Sequence, residues 1–313
     1  MEATSFSAEG KYCLTAGYDR TVRLWNPARL DPAHAPPPSH FPSNHRSNAD
    51  IPPSQLPRAL PIQSYAHVHS VAAIAVDPNC LLAASGNSVV VTDLVTARPL
   101  RTLTGHTGIV NAVAMNPELY LSASYDGTVR IWDAKSRSTI QTMKEATDSV
   151  TSIMVHANNV ITGSVDGMVR TYNVQSGQLH CDNVGSPVVS MDMSKDGLCA
   201  VVATLEGDLI FMDAGTGQLL NTYERAHRAG KYALQCCVTA NDASILTGSE
   251  DGRAVLYDVV QGTMVQSLEG HLRPTCAVAA HPKRSDVVVT ASYDGTAVVW
   301  AHGASPFMQM NVD

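Results

Sequence analysis

Three short apolar runs, parted by polar turns, recur along most of the chain. In one unit they are Ile109 to Met115, Tyr120 to Ala123 and Val129 to Trp132. Runs this short, apolar on both alternating sets of positions, predict β-strands buried on both faces. Between the second and third runs sits Asp126-Gly127, a pair that supplies the positive φ of a tight hairpin. The unit returns at Ser292-Tyr293-Asp294-Gly295 through Trp300, and at Tyr18-Asp19-Arg20-Thr21 through Trp25. Weaker copies run from Ser164-Val165-Asp166-Gly167 to Tyr172 and from Ser249-Glu250-Asp251-Gly252 to Tyr257. The step from Asp to aromatic is six residues in every copy.

With Thr92 and Met212 at the aromatic place of two degenerate copies, the anchors fall at 25, 92, 132, 172, 212, 257 and 300. The gaps are 67, 40, 40, 40, 45 and 43. A period of ~40–45 residues is that of a WD repeat, one four-stranded propeller blade. The expectation is a single all-β domain over residues 1–313, a seven-bladed WD-repeat β-propeller. Three hundred residues suit one large all-β domain as well as two smaller ones, and the unbroken period favours one.

Two copies carry a full set of polar partners: His106, Ser122, Asp126 and Trp132, and His271, Thr290, Asp294 and Trp300. Such groups are costly to bury singly and stabilising when all are paired. The expectation is a buried hydrogen-bond chain tying the inter-blade loop to the strands. The sixth copy keeps His227, Thr247 and Asp251, with Tyr257 for Trp. The fourth keeps Thr162 and Asp166 without a matching His. A His, a hydroxyl and an Asp also make a catalytic triad. Repetition at the blade period argues for structure, since an enzyme needs one exposed nucleophile. No catalytic residue, cofactor site or metal site is expected.

The long first gap holds a Pro-, Ser- and His-rich segment. Ten of the seventeen prolines lie between Pro27 and Pro61. The gap exceeds the common period by 67 − 40 = 27 residues, so residues 28–58 read as a disordered insertion in the first blade, after the Trp strand. Its His34, His40 and His45 lack a second ligand cluster, and His67-Val68-His69 reads as a blade-entry loop. The first copy starts partway through its innermost strand. Either the chain is truncated there, or the tail at 304–313 closes the last blade; an open seam would leave an exposed edge.

Net charge is −7, which disfavours direct nucleic-acid binding through a phosphate backbone. No apolar run approaches the ~20 residues of a membrane span, and no signal peptide or lipidation motif is evident. The seven cysteines form no CxxC pair and lie mostly in apolar runs. That suggests reduced, buried thiols and a cytosolic or nuclear protein.

On a propeller, function lives in the loops. The residue before the turn Asp projects from the face of the inter-blade loops, and it is Tyr three times: Tyr18, Tyr125 and Tyr293. Exposed Tyr suits a binding hot spot, so these three are the candidate interaction surface.

Several stretches go beyond the generic repeat. They include Gly10-Lys11-Tyr12-Cys13-Leu14-Thr15, Gly163-Ser164-Val165-Asp166-Gly167, Val184-Gly185-Ser186-Pro187 and Lys231-Tyr232-Ala233-Leu234-Gln235-Cys236-Cys237. In these the chain resembles the WD repeat-containing protein 83 family, also called the mitogen-activated protein kinase organiser. The resemblance implies a non-catalytic scaffold, cytoplasmic and nuclear, monomeric within larger assemblies. Its implied protein partners are components of the spliceosome in pre-mRNA splicing, of a mitogen-activated protein kinase cascade, or both. A competing class is the substrate receptor of a cullin-type ubiquitin ligase. Such receptors carry Trp-Asp-x-Arg at a blade end; here Trp132-Asp133-Ala134-Lys135 has Lys, which lacks Arg's planar fork.

Overall fold

The computed structural model describes residues 2–30, 59–136, 138–301 and 308–311. Every regular element among them is a β-strand. The strands form seven antiparallel four-stranded sheets, each built from four consecutive strands, lettered a to d here in chain order. Blade 3 shows the pattern with strands at Val110–Met115, Leu119–Ser124, Val129–Asp133 and Thr139–Met143. Each a strand touches the a strand of the next blade, and that of blade 7 touches that of blade 1. The contacts close a seven-bladed ring with the a strands at its axis.

Strand alternation explains the core. In blade 3, Leu121 and Ile131 face blade 4, while Tyr120 and Trp132 face blade 2. A sheet with apolar side chains on both faces cannot be stable alone and stacks on both neighbours. Seven apolar clusters accordingly lie one to each gap between adjacent blades. The large anchor residue packs against the preceding blade in each of six cases: Trp25, Trp132, Tyr172, Met212, Tyr257 and Trp300. Such a side chain contributes about 1.5–3 kcal/mol when buried, so the repeated aromatic is what joins blade to blade. In blade 2 the small Thr92 takes this place and is also buried.

Backbone groups on the inner edges are bridged to neighbouring blades. Asn111 Nδ2 donates to the Val150 carbonyl (2.9 Å), Thr151 Oγ1 to that of Val188 (2.7 Å), and the Val238 N–H donates to Asp192 (2.8 Å).

Blades 7 and 1 meet without a connecting loop. Their junction holds Phe6, Cys13 and Trp25 against Val289, Val299 and Met310. The Cys13 thiol lies 3.5 Å from the Met310 sulfur, and the Phe6 ring is 5.3 Å from that of His281. Strand d of blade 7 is Met308–Asn311, paired with strand c at Thr296–Ala301. Strand a of blade 1 is Ala3–Phe6.

Most of the insertion expected at 28–58 falls on residues 31–58, outside the described residues. Residues 28–30, assigned to it by counting periods, instead continue strand c of blade 1, Thr21–Leu30, and strand d resumes at Ala59–Ala66. Period counting missed this because a register shift between Trp25 and Leu30 lets pairing resume beyond the bulge, at Leu30 with Ala59.

The turn between strands b and c needs a left-handed residue. Gly127 and Gly295 supply it at φ 74° and 85°. Blade 1 has Arg20 there, at φ 61°, a conformation that costs an L residue with a side chain about 1 kcal/mol.

Candidate interaction face

The b–c turns and the loops entering each blade share one face, and the polar sets hold the two together. In blade 3, His106 Nδ1 lies 3.0 Å from Asp126 and Nε2 lies 2.8 Å from Ser122 Oγ; the Trp132 indole N–H donates to the same oxygen at 2.9 Å. Asp126 also accepts the Thr107 N–H at 2.9 Å. Blade 7 repeats the arrangement: His271 to Asp294 3.2 Å, His271 to Thr290 2.8 Å, Trp300 to Thr290 2.8 Å.

The sets are enclosed and internally used. The His106 and Asp126 side chains are 1% and 9% exposed. Burial alone would raise the Asp126 carboxyl, but bonds from Thr128, the Thr107 N–H and His106 outweigh it and hold it well below the usual carboxylate range. Burial pushes His106 down despite that carboxylate, so the imidazole is kept neutral. A hydroxyl that accepts from an indole and is sealed from solvent is no nucleophile.

The other blades vary the chemistry. Blade 1 keeps the indole bond, Trp25 to Thr15 at 2.9 Å. Blade 4 lacks the His; there buried Arg170 donates to Ser164 (2.7 Å) and to Asp166 (2.7 Å), while the Thr147 N–H donates to Asp166 (3.0 Å). Blade 6 departs from the expected set. His227 meets the Tyr257 hydroxyl at 2.8 Å, Thr247 donates to backbone carbonyls, and Asp251 turns to Arg253. The phenol places its oxygen beyond where an indole N–H sits, so it reaches the histidine directly and bypasses Thr247.

The three sequence-predicted tyrosines separate. Tyr18 and Tyr125 are each 69% exposed. Tyr293 is half-buried, packed against the core of the blade 7–blade 1 junction. Tyr18 and Tyr293 belong to adjacent blades and share Glu2. Tyr18 is hydrogen-bonded to the Glu2 carboxyl, which pushes the phenol up; burial raises Tyr293, with Glu2 and Tyr18 adding to it. Tyr125 stands two blades further round.

Sequence reasoning missed Tyr232. It lies in the loop between blades 5 and 6, and its ring sits 5.4 Å from that of Tyr293. Glu250 pins this loop by accepting the N–H groups of Lys231 and Tyr232. An open hollow of about 610 Å³ beside it is lined by Arg228, Ala229, Gly230, Lys231, Tyr232 and Glu250. The signal was present: the gap of 45 residues before Tyr257, against 40 in the preceding blades, marks a lengthened loop. Five of the seven cysteines are buried. Among the described residues no three His, Cys, Asp or Glu side chains gather as a metal-binding group.

The WD40 family, described as WD domain, G-beta repeat, matches residues 3–26, 97–133 and 262–301, which contain all three tryptophans. The chain is similar to the rat and human proteins named WD repeat domain-containing protein 83, at 34% identity over 161 residues and 33% over 165. These alignments cover 51% and 53% of this chain and 50% and 51% of those relatives. The chain thus spans about half the length of the curated relatives it matches there. A homologue of that name from Dictyostelium discoideum is 24% identical across 96% of this chain and 94% of its own length.

Proposed function

We propose, on the premise that the chain is a WD40-repeat protein, that it works as a non-catalytic scaffold binding other proteins through the face that carries Tyr18, Tyr232 and Tyr293. The observation that carries this reading is the contrast on that face. Its repeated polar groups are sealed and paired with one another, while Tyr18 and Tyr232 are open to solvent and the half-buried Tyr293 lies beside Tyr232. A rigid rim with exposed aromatic rings can bury area on a partner at small entropic cost.

The finer reading is that the partners are spliceosomal proteins in pre-mRNA splicing, components of a mitogen-activated protein kinase cascade, or both, met in the nucleus and cytoplasm. The similarity to WD repeat domain-containing protein 83 supports it. Binding would run through protein contacts, since the net charge of −7 opposes a polyanionic backbone.

Affinity purification of the tagged chain from its own cells under RNase, followed by mass spectrometry, tests both levels. Splicing factors or kinase-cascade proteins in the eluate are expected. Cullin subunits without either group would make the ubiquitin-ligase receptor the better reading. Partners that persist undiminished with Tyr18, Tyr232 and Tyr293 all replaced by Ala, in a folded protein, would move the binding surface elsewhere.

A further inference from the structure

We propose that the opposite face of the ring, where blades 5 and 6 adjoin, is a second docking surface for a basic, apolar segment of a partner protein. It is separate from the tyrosine face, so one chain can hold two partners at once.

Apolar exposure marks the place. The a–b and c–d turns lie at the end of each blade away from the b–c turns. Strand d of blade 5, Leu219–Thr222, and strand d of blade 6, Met264–Glu269, are outer edges. Leu219, Leu220, Met264 and Val265 on these strands are exposed, as are Leu198 in the a–b turn of blade 5 and Val260 in the c–d turn of blade 6. Among the described residues, each of the two blades thus exposes three large apolar side chains on these turns and its d strand; no other blade exposes more than two there. Hydrogen bonds join the pieces into one surface. The Ala214 N–H donates to the Leu198 carbonyl (2.8 Å), the Lys195 N–H to Asp242 (3.1 Å) and the Val259 N–H to the Ala243 carbonyl (3.0 Å). Asn221 Nδ2 donates to the Val259 carbonyl (2.9 Å), and Glu224 accepts the Met264 N–H (2.7 Å). An exposed apolar patch rimmed by polar groups marks a protein-interaction site.

Charge decides the occupant. Residues 193–198, 213–224, 241–243 and 258–265 make up this surface. They hold five carboxylates and one lysine: Asp196, Asp213, Glu224, Asp242 and Asp258 against Lys195. Blade 4 adds Asp182, which lies against Gly217 with His180 at 2.9 Å, and His156, which lies against Gly197. The carboxylates are fixed in place. Asp196 accepts the Leu198 N–H (2.9 Å), Asp213 the Thr216 N–H (2.7 Å) and Asp258 the Val260 N–H (2.9 Å). Such bonds preserve the charge: Ser194 and Leu198 hold Asp196, and Thr216 holds Asp213, below the usual carboxylate range. Burial raises the Cys199 thiol, and Asp196, Asp213 and Asp242 all add to the rise, so the three carboxylates share one neighbourhood. The cations around the edge are matched: Arg225 pairs with Asp208, Lys283 with Glu9 and Arg284 with Asp286. The surface therefore carries a negative surplus, which selects a positive partner.

Lys and Arg suit both features, because their aliphatic stems lie along apolar surface while their heads reach carboxylates. A second copy of this chain does not fit, since setting this surface against itself opposes carboxylate to carboxylate. Nucleic acid and anionic membrane are repelled by the same charge.

The test is selection of a random-peptide display library on the whole chain, then fluorescence-anisotropy titration of the selected peptides against variants. The expected peptides carry more Lys and Arg than Asp and Glu. Asp196→Asn, Asp242→Asn and Asp258→Asn together leave an amide oxygen for the same N–H groups. This triple variant should weaken binding about tenfold or more, and so should raising salt from about 50 to 300 mM. The exposed pair Val260→Ser and Val265→Thr should weaken it by a similar factor. Replacing Tyr18, Tyr232 and Tyr293 by Ala should leave it unchanged. Neutral or acidic selected peptides, no enrichment at all, or indifference to the Asn triple in a protein with unchanged urea unfolding would overturn the proposal. Loss in the Asn triple but not in the valine pair would reduce the surface to plain ion pairing and overturn it as well. A concentration-dependent dimer in sedimentation, abolished by the valine pair, would assign the surface to a second copy instead. If basic peptides fail while cellular partners still depend on the three tyrosines, the scaffold reading survives and this inference alone fails.

Discussion

In blade 3 the turn carboxylate Asp126 is met by His106, and Arg130, four residues after it, lies over the Trp132 ring at 5.8 Å. In blade 4 there is no histidine, and Arg170, also four residues after the turn Asp, falls onto Asp166 instead. Blade 1 repeats the second arrangement with Arg23 on Asp19. What blades 1, 3 and 4 share is a paired turn carboxylate, not a particular partner. Where the loop brings an imidazole, the arginine is displaced to stack on the aromatic. Where it does not, the arginine closes the gap.

The comparison breaks most severely at Asp166. Asp166→Ala leaves the buried Arg170 guanidinium without a counter-charge and should cost about 3–5 kcal/mol in urea unfolding. Adding Arg170→Met should recover much of it; a double variant no more stable than the single one would show that the pair does not act as a unit. A smaller effect separates blades 3 and 7. Blade 7 has Val298 at the position of Arg130, so nothing can replace His271. His271→Ala should cost about 2–3 kcal/mol and His106→Ala about 1 kcal/mol, because Arg130 can swing onto Asp126. Equal costs would refute the idea of a reserve arginine.

Titration sharpens the contrast further. His106 is held below the ordinary histidine pKa in the fold. As pH falls through about 6.5 the unfolded chain takes its proton first, so this contribution is full above 6.5 and is lost below it, at up to about 1.4 kcal/mol per pH unit. Asp166 is held far below the carboxylate range: burial opposes this, but Arg170 and Ser164 outweigh it. Its contribution is present above pH ~4 and is lost only in more acid solution. Urea midpoints at pH 5 and 7 should therefore converge in His106→Gln relative to the parent chain, and the difference should be unaltered by Arg170→Lys. The smallest expected change is at Arg20: Arg20→Gly should stabilise by about 0.5 kcal/mol as backbone strain is relieved. A loss of stability would mean that Arg20 makes a structural contact after all.

Much of the site was legible along the chain. His106, Ser122, Asp126 and Trp132 announce themselves because their spacing is set by one hairpin and one loop, both local. Blade 6 was misjudged because Tyr257 looks like a conservative stand-in for Trp, yet its donor and acceptor oxygen sits at a different reach. Tyr232 escaped notice because nothing within its own loop indicates that a ring from blade 7 lies beside it. Tyr293 read as exposed from its place before the turn Asp, but the junction with blade 1 half-covers it.

The six-residue step from Asp to aromatic is a property of a single strand and its turn, so hydrophobic alternation and turn chemistry were enough to define the blades, their number and the polar sets of blades 3 and 7. Which surface groups become neighbours is a different matter. Tyr18 and Glu2 share the first hairpin of blade 1, but Tyr293 comes beside them only because blade 7 packs against blade 1, where Trp25 seals against Val289 and Val299. That contact spans nearly the whole sequence and is governed by the closure of the ring, a geometric condition on all seven blades that no local window of residues contains.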